Sequence, residues 1–221
     1  GMLVIAYMRD ITERKNAETQ LRGANTQLET QMKQIQGLQL ILHEQSVRDP
    51  LTGLYNRRYL TEYIEREMVR AKRENRQLSV IVSDIDHFKI INDTFGHQVG
   101  DKFLIEIASL MNKHARSSDI VCRYGGEEFL LVLPGTTINS AHKRAEELRQ
   151  MCAEVLIPHE GKELRVTMSF GVATYPDHGK EAETIIIKAD QAMYKSKNSG
   201  RNLVTAWDES CAKIQESTAQ L

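Results

Sequence analysis

Cysteine is scarce in this chain of 221 residues. Cys122, Cys152 and Cys211 are the only three, and they lie far apart with no CxxC pair among them. An odd number of separated cysteines indicates neither a disulfide framework nor a structural zinc site. A reducing cytoplasm is therefore the expected compartment.

Long apolar runs are also absent. No stretch approaches the ~18 apolar residues of a membrane-spanning helix, and Met2 to Met8 is too short for one. We expect no membrane contact in this fragment, and a membrane-attached region further upstream stays compatible with it. Because Gly1 precedes Met2 and residues 2–8 resemble a strand without neighbours, we interpret the sequence as an excised piece of a longer protein.

An excess of either charge is missing as well. Lysine and arginine total 29 against 30 aspartates and glutamates, which gives a net charge of −1. This balance provides no electrostatic footprint for binding a nucleic-acid polymer or a membrane surface. Any phosphate binding must therefore be local.

The first feature that the chain does have is a polar stretch with regularly spaced apolar residues. Residues 16–47 are rich in Gln, Glu and Leu and poor in glycine, which predicts one long helix. Apolar residues recur every seven positions at Leu21, Leu28, Ile35 and Leu42. Ala24 and Leu38 lie near the intervening d positions of the heptad. Gln31 and Gln45 weaken this seam. The pattern favours a parallel coiled-coil homodimer, and the alternative is a solitary helix packed on its own domain.

A domain boundary is expected at Asp49, which Pro50 excludes from the helical conformation. Residues 48–221 then form one globular domain with alternating elements. Helices are predicted over Tyr59–Asn75, Gly100–Ala115, Ala141–Glu154 and Glu183–Lys197, and strands over Leu78–Ser83, Ile120–Tyr124, Glu128–Leu133, Leu164–Ala173 and Leu203–Ala206. The β-α-β-β-α-β order predicts an α/β (α+β) ferredoxin-like sandwich with a mixed, mainly antiparallel sheet flanked by helices.

The most informative short motif is Gly125-Gly126-Glu127-Glu128-Phe129. The two glycines predict a hairpin turn with positive φ, and they leave the backbone N–H groups open to a polyphosphate. Asp84 closes an apolar strand whose end lies next to this hairpin in the predicted fold. Asp84 and Glu127 would then be a pair of hard oxygen ligands for Mg²⁺. The alternative is that Asp84 caps the next turn while Glu127 and Glu128 are solvated.

A polar segment follows Asp84. The stretch from His87 to Asp101 is predicted as a loop leading into a helix, and it carries Lys89, Asn92 and His97. Asn92 and Asp101 together suit guanine. A carboxylate accepts hydrogen bonds from guanine's N1–H and exocyclic amine, whereas it would meet an acceptor on adenine.

Together these motifs resemble the signature of GGDEF-domain diguanylate cyclases. The similar segments are DIDHFKIINDTFGH at 84–97, GD at 100–101, RYGGEEF at 123–129, DPLTGLYNRR at 49–58, AMYK at 192–195 and GRN at 200–202. The resemblance spans Arg48 to Ala206. It implies a nucleotidyl-cyclase-type fold and an enzyme that condenses two GTP molecules into cyclic di-GMP, releasing two pyrophosphates.

The resemblance also implies roles for individual residues. Asp84, the main-chain carbonyl of Ile85 and Glu127 resemble ligands of Mg²⁺ or Mn²⁺, with Glu128 assisting. Glu127 is also similar to the general base for the ribose 3′-hydroxyl, although metal activation alone is the alternative. The implied catalytic residues are Glu127 and Lys89, and the implied nucleotide-binding residues are Asn92 and Asp101 at guanine, His97 in the pocket, and Gly125, Gly126, Lys89, Lys197 and Arg201 at the phosphates. For Lys197 and Arg201 the alternative is a basic last helical turn that complements the helix dipole.

Arg116 and Asp119 form an RxxD string, with Asp119 six residues before Gly125. This spacing resembles the inhibitory product site of the family. An arginine fork beside a carboxylate suits a guanine dinucleotide, and an ordinary loop salt bridge is the alternative. Either Arg144 or Arg149 is expected to complete the site.

The implied reaction brings two GTP molecules face to face, so a homodimer through the amino-terminal helix is expected. Arg9 to Lys15 resembles the exit of a PAS sensory domain, and residues 1–15 are interpreted as its remnant. Two other functions stay open: a catalytically silent module that binds GTP or cyclic di-GMP, and a mononucleotide cyclase of related fold. Glu127 stands where the family usually has aspartate and preserves the ligand type, while Asp101 argues against relatives that accept ATP.

Overall fold

The computed structural model of the protein describes residues 15, 20–23, 25–37, 44 and 46–212. The chain divides into two compact units, Gly1–Ser46 and Val47–Leu221. None of the described helices is both long enough and apolar enough to cross a membrane.

In the first unit, residues 20–23 and 25–37 are helical, as the heptad pattern predicts. Leu21, Leu28 and Ile35 expose more than half of their surface. The other features predicted here lie outside the described residues: the strand at 2–8, the sensory-domain remnant at 1–15 apart from Lys15, and Ala24, Leu38, Leu42 and Gln45.

The second unit alternates helices and strands. Its helices are α1 (Arg57–Glu74), α2 (Phe88–Phe95), α3 (His97–His114), α4 (Ile138–Ala153) and α5 (Ala182–Asn198). Its strands are β1 (Tyr55–Asn56), β2 (Leu78–Ile85), β3 (Ile120–Arg123), β4 (Glu128–Pro134), β5 (Ile157–His159), β6 (Lys162–Leu164), β7 (Met168–Tyr175) and β8 (Val204–Ala206).

The central sheet has the strand order β1-β3-β4-β2-β7-β8. Its four inner strands are antiparallel to one another, and β1 and β8 add in parallel to β3 and β7. The inner order β3-β4-β2-β7 is that of a ferredoxin-like β-α-β-β-α-β unit. The predicted fold class, with a mixed sheet flanked by helices, is therefore confirmed.

Alternate residues of the central strands face opposite helical layers. In β2, Ile81 and Ile85 belong to the core cluster that α3 and α4 complete, whereas Val80 and Val82 belong to the cluster with α1 and α5. Because helices cover both faces of the sheet, all eight residues of β2 are buried. This explains why the strand is rich in apolar residues on both faces, with only Ser79, Ser83 and Asp84 interrupting them.

Local sequence signals set the ends of α1. The Asn56 side chain caps its first turn by accepting from the Tyr59 N–H at 3.1 Å, and Asn75 ends it in the left-handed conformation with φ 50°. Leu60, Ile64 and Met68 recur at a spacing of four residues and are buried against the sheet.

Two predicted boundaries are wrong. The segment from His87 to Asp101 is mainly helical and not a loop. It contains α2, which is bounded by His87 and Gly96 with φ values of 58° and 85°, and the start of α3. The sequence of α2 contains β-branched and turn-forming residues, whose low helix propensity argues against a helix. The burial of Phe88 stabilises the helix nevertheless. The predicted strand at Leu164–Ala173 is also two elements, since β6 turns back to pair with β5 and β7 starts only at Met168.

Candidate active site

The carboxyl end of β2 presents Asp84 beside the β3–β4 hairpin. Asp84 is buried and lies opposite Glu128 on β4 and Ser169 on β7 in the strand register. The Ile85 N–H donates to the Glu127 carbonyl at 3.3 Å. The structure thus brings the strand end and the acidic turn together, as the β-α-β-β-α-β order predicts.

Three carboxylates and one ammonium share this end of the sheet. Burial and the nearby charge of Glu128 raise the pKa of Asp84, although Lys197 lies with its Nζ 2.8 Å from Asp84 Oδ1 and opposes that shift. Burial and then the charge of Asp84 raise the pKa of Glu127. The fold therefore opposes simultaneous ionisation of these acids in the absence of a further cation.

This donor set fits a divalent cation that a ligand helps to hold. No group of three or more His, Cys, Asp or Glu side chains within residues 46–212, or elsewhere in the described part of the chain, is arranged for a metal. The predicted site combines Asp84, Glu127 and the Ile85 main-chain carbonyl with Glu128 assisting, and its three carboxylates do not form such a group in the described part of the chain. Mg²⁺ and Mn²⁺ take hard oxygen ligands and commonly complete their shell with phosphate oxygens. A cation here would also offset the burial and the mutual repulsion that raise the pKa of Asp84 and Glu127.

The hairpin turn closes through two main-chain hydrogen bonds from Tyr124 and Gly125 to the Glu128 carbonyl, at 2.8 and 3.3 Å. Neither Gly125 nor Gly126 is among the residues with positive φ, so the predicted reason for these glycines is wrong. A Cβ at Gly125 would overlap the Glu128 carboxylate, so the end of that flexible side chain would have to move aside. A Cβ at Gly126 would meet nothing within 4 Å, so this peptide is open to an approaching ligand.

Arg123 stabilises the turn by bonding both to its main chain and to Asp49, and we call this set of contacts between Asp49, Arg123 and Gly126 the brace. Its Nε and Nη2 donate to the Gly126 carbonyl at 3.1 and 2.7 Å, and its Nη1 donates to both oxygens of Asp49 at 3.1 and 3.2 Å. Asp49 also accepts from the N–H and hydroxyl of Thr52. Although burial raises the pKa of Asp49, the bonds from Thr52 and Arg123 hold it below its usual value. Sequence reasoning missed this brace, for which the D-P-L-T turn was the available signal.

The predicted guanine-reading residues lie on the α2–α3 pair. The Asn92 side-chain oxygen is packed against Gly100, where any Cβ would overlap it. That oxygen is buried and has no hydrogen-bond partner in the described part of the chain. Asp101, next to Gly100, is exposed on α3, so the structure brings the two residues to neighbouring positions on adjoining helices.

The predicted phosphate-binding side chains and the predicted pocket residue His97 lie on α2, α3 and α5 and in the turn that follows α5. Lys197 lies on the last turn of α5 and already contacts Asp84, and Arg201 follows in a left-handed turn. Lys89 and His97 are exposed on α2 and α3. Within residues 46–212, no hydrogen bond or ion pair joins these last two to the acids, so the structure does not bring them into direct contact with the pair.

The RxxD string lies at the start of β3, and the hairpin turn follows the other end of the same strand. Asp119 is buried, and its Oδ2 accepts from the Arg116 main-chain N–H at 2.8 Å and forms an ion pair with Arg144 Nη2, also at 2.8 Å. Arg144 thus approaches Asp119, whereas Arg149 bonds to Glu146. The Nη1 of Arg144 is buried without a hydrogen-bond partner among the described residues. Arg116 itself is exposed.

Fold and site together define a class of protein: a ferredoxin-like sheet with paired carboxylates at the end of its central strand and an open glycine turn beside them. Residues 46–203 match the family described as "Diguanylate cyclase, GGDEF domain", and the chain belongs to this family. The resemblance stated from the sequence is therefore confirmed.

Individual relatives agree with this assignment. The chain is 42% identical over 160 residues to Diguanylate cyclase DgcP of Pseudomonas aeruginosa, an alignment covering 72% of this chain but only 24% of DgcP. It resembles the coiled coil and GGDEF domain of DgcB from Caulobacter crescentus, solved in complex with c-di-GMP, with 28% identity, a TM-score of 0.78 and coverage of 84% and 98% of the two chains. It also resembles the active GGEEF domain of a diguanylate cyclase from Vibrio cholerae, with 36% identity, a TM-score of 0.66 and coverage of 70% and 97%.

Proposed function

We propose that this chain is the catalytic part of a diguanylate cyclase. In each of two steps, the 3′-oxygen of one GTP bonds to the α-phosphorus of the other, the bond to pyrophosphate breaks and the hydroxyl proton is lost. The observation that carries the proposal is the buried Asp84 beside Glu127, with Lys197 Nζ 2.8 Å from Asp84 Oδ1. This is a charge arrangement that a metal-bound triphosphate would complete.

The residues at the strand end would hold the metal and the phosphates. Asp84, Glu127 and the Ile85 carbonyl would hold Mg²⁺ or Mn²⁺, with Glu128 assisting, and the bound ion would neutralise phosphate charge and acidify the 3′-hydroxyl. Lys197 exchanges its contact with Asp84 for a phosphate oxygen. Arg201 and Lys89 add further positive charge, and the open Gly126 peptide lets the phosphates approach the main chain.

Glu127 is the proposed acceptor of the hydroxyl proton. Burial and the charge of Asp84 raise its pKa in the metal-free protein, whereas a bound cation would lower it again, so activation of the hydroxyl by the metal alone is the alternative. The V. cholerae relative described as active has glutamate in its GGEEF motif. This supports a catalytic role for the same residue type here.

Base selection is assigned to Asn92 and Asp101. An acceptor without a partner on Asn92 and an exposed carboxylate on the adjoining helix support a ligand edge that donates N–H groups. Guanine offers such an edge, whereas adenine presents an acceptor at the corresponding ring nitrogen. His97, exposed at the start of α3, would line the same pocket.

Catalysis by this arrangement needs two copies of the chain, because each domain would bind one GTP. The exposed Leu21, Leu28 and Ile35 support a coiled-coil homodimer, which would raise the effective concentration of one domain near the other. Residues 1–15 remain proposed as the end of a sensory domain that supplies the signal.

The test is to incubate the full chain with GTP and Mg²⁺ and to separate the products by chromatography. We expect cyclic di-GMP, with a specific activity that rises with protein concentration. Asp84→Ala and Glu127→Gln should each lower the rate by roughly 100-fold or more. Glu163→Gln, on exposed β6, is the matched control and should keep the rate.

Other outcomes identify the competing functions. GTP that is bound but recovered unchanged would indicate a silent binding module. A cyclic mononucleotide would indicate the other cyclase chemistry. Normal turnover by Asp84→Ala would refute the proposed metal site.

A further inference from the structure

Asp86 is a buried carboxylate that the proposed mechanism does not use. It lies just beyond β2 and is 4% exposed. Its Oδ2 accepts from the Thr167 hydroxyl at 2.7 Å and from the Asn202 N–H at 3.0 Å, and its Oδ1 accepts from the Ser169 hydroxyl at 2.7 Å. Since both oxygens are occupied by the protein itself, Asp86 is built to hold other segments in place.

One of those segments is an unusual turn. Gly200, Arg201 and Asn202 have φ values of 116°, 62° and 47°, a conformation that residues with side chains rarely adopt. The turn is closed at its start by the Arg201 N–H, which donates to the Ser196 carbonyl at 3.0 Å. Two adjacent side-chain-bearing residues in this region need contacts that hold them there.

Asn202 is held from two directions. Its main-chain N–H donates to Asp86, 116 positions away in sequence, and its side-chain oxygen accepts from Arg149 Nη1 at 2.7 Å. Arg149 is itself oriented by Glu146 on the same helix. The turn is thus fixed between the end of β2 and α4.

The same turn carries a predicted phosphate-binding cation. Arg201 lies inside it, and Lys197 immediately precedes it on α5, 2.8 Å from Asp84. Asp84 and Asp86 are two residues apart at the end of one strand, so the strand that presents the acidic pair also anchors the cationic turn.

We propose that Asp86 is a positioning residue, which fixes the 200–202 turn and so directs Arg201 toward the phosphates of the bound nucleotide. The inference rests on the proposed function for the identity of the nucleotide and for the role of Arg201 at its phosphates. Asp86 itself touches neither substrate nor metal in this scheme. Its effect must therefore pass through Arg201.

The experiment measures equilibrium binding of α,β-methylene-GTP with Mg²⁺, and hydrogen exchange of the free protein in the segment from Ser199 to Leu203. Asp86→Ala should weaken binding roughly tenfold and speed exchange in that segment, because the Asn202 N–H loses its acceptor. Asp86→Asn should retain affinity within about threefold, since an amide oxygen can still accept from Asn202 while its NH₂ group faces the Ser169 hydroxyl.

A double-mutant cycle separates positioning from general destabilisation. If Asp86 acts through Arg201, adding Asp86→Ala to Arg201→Ala should weaken binding by less than about twofold further. Ser79→Ala is the matched control, because Ser79 is buried at the other end of β2 and bonds to Thr136 and Thr174. It should lower stability without changing affinity or exchange at 199–203.

Arg149→Ala provides a second route if Asp86→Ala does not fold. It removes the side-chain tether of Asn202 and leaves the Asp86 contacts in place, and it should also speed exchange and be non-additive with Arg201→Ala. Additive effects in the cycle, unchanged exchange at 199–203, or a wild-type chain that does not bind the analogue would each overturn the inference. A wild type that binds the analogue and shows the cycle, yet makes no cyclic di-GMP, would refute the proposed enzyme and leave the positioning role standing.

Discussion

Lys197 and Asp84 define the chemistry of the site at the scale of single residues. The Lys197 ammonium lowers the pKa of Asp84 and Glu127, whereas burial first and the neighbouring carboxylates second raise both pKa values above their ordinary range. Burial is the first cause of both shifts. The site is therefore suited to an additional positive charge. Without that charge, the buried carboxylates lower the stability of the folded protein.

Glu127→Gln should stabilise the metal-free protein at neutral pH. The pKa of Glu127 is raised above its ordinary 4.5, so the folded state binds the proton more tightly than the unfolded state does. Wild-type stability then falls as pH rises through the interval between these pKa values, and the penalty is complete above it. We expect the variant to melt about 2 °C higher at pH 7, a modest effect because the side chain is partly exposed.

The measurement is thermal unfolding in EDTA between about pH 4 and pH 8. The difference between variant and wild type should disappear toward the acid end, where both states of the wild type hold the proton. Glu163→Gln should show no such pH-dependent difference. A variant that melts lower than wild type at pH 7 would contradict the electrostatic account.

At the scale of elements, the sequence predicts those whose pattern is strong. The mostly apolar sequence of β2 and the regular spacing of apolar residues along α1 give the correct element types, because burial on both faces or on one face imposes those patterns. The eight residues of α2 have no comparable pattern. Tertiary contacts decide their conformation, and the same is true of β5 and β6.

The candidate site, like the fold, could be predicted from the sequence only in part. The strand order is enough to bring Asp84 to Glu127, since the hairpin must pair beside β2. The contacts of Arg123 with Asp49, of Asp86 with Asn202 and of Arg144 with Asp119 join segments far apart in sequence. Only the D-P-L-T turn at Asp49 gives a local signal for any of them. The prediction of positive φ at Gly125 and Gly126 is wrong because this turn is not a two-residue hairpin. It closes through hydrogen bonds from the Tyr124 and Gly125 N–H groups to the Glu128 carbonyl.

Asp49→Ala should loosen the catalytic hairpin. The change removes both Arg123 Nη1 contacts and the Thr52 bonds, which should cost about 1–3 kcal/mol of stability. We expect activity at saturating GTP to fall roughly tenfold, because the Gly126 peptide loses the support behind it. Denaturant unfolding and initial rates measure the two effects.

Asp177→Ala is the matched control for this change. Asp177 is a surface carboxylate that accepts from Gln77 at 3.0 Å, and its loss should leave the rate unaltered. An Asp49→Ala protein that is less stable yet fully active would show that the brace serves the fold alone.

At the scale of the whole molecule, the RxxD site and the active site lie at the two ends of one short strand. Asp119 immediately precedes β3, and Arg123 ends it. A ligand that contacts Arg116 and Arg144 would therefore bind next to the segment that supports the catalytic turn. The buried, unpartnered Nη1 of Arg144 supports a ligand at this place.

Arg116→Ala should weaken inhibition by cyclic di-GMP. The exposed guanidinium can offer paired donors to guanine or phosphate, so its loss should raise the half-inhibitory concentration about tenfold, the value of one charge-assisted contact. Progress curves with added cyclic di-GMP provide the measurement. Arg58→Ala removes an equally accessible arginine that pairs with Glu62 and should leave inhibition as in the wild type; an unchanged curve for Arg116→Ala would refute the site.

The brace between Asp49 and Arg123 has a mechanical consequence. Asp49 is the third residue of the second unit, which begins at Val47, and one arginine side chain connects it to the Gly126 carbonyl. A displacement of Asp49 would therefore shift the planar guanidinium of Arg123 and, through it, the Gly126 carbonyl. The position of the hairpin turn thus depends on a residue 77 positions earlier in the sequence through a single side chain.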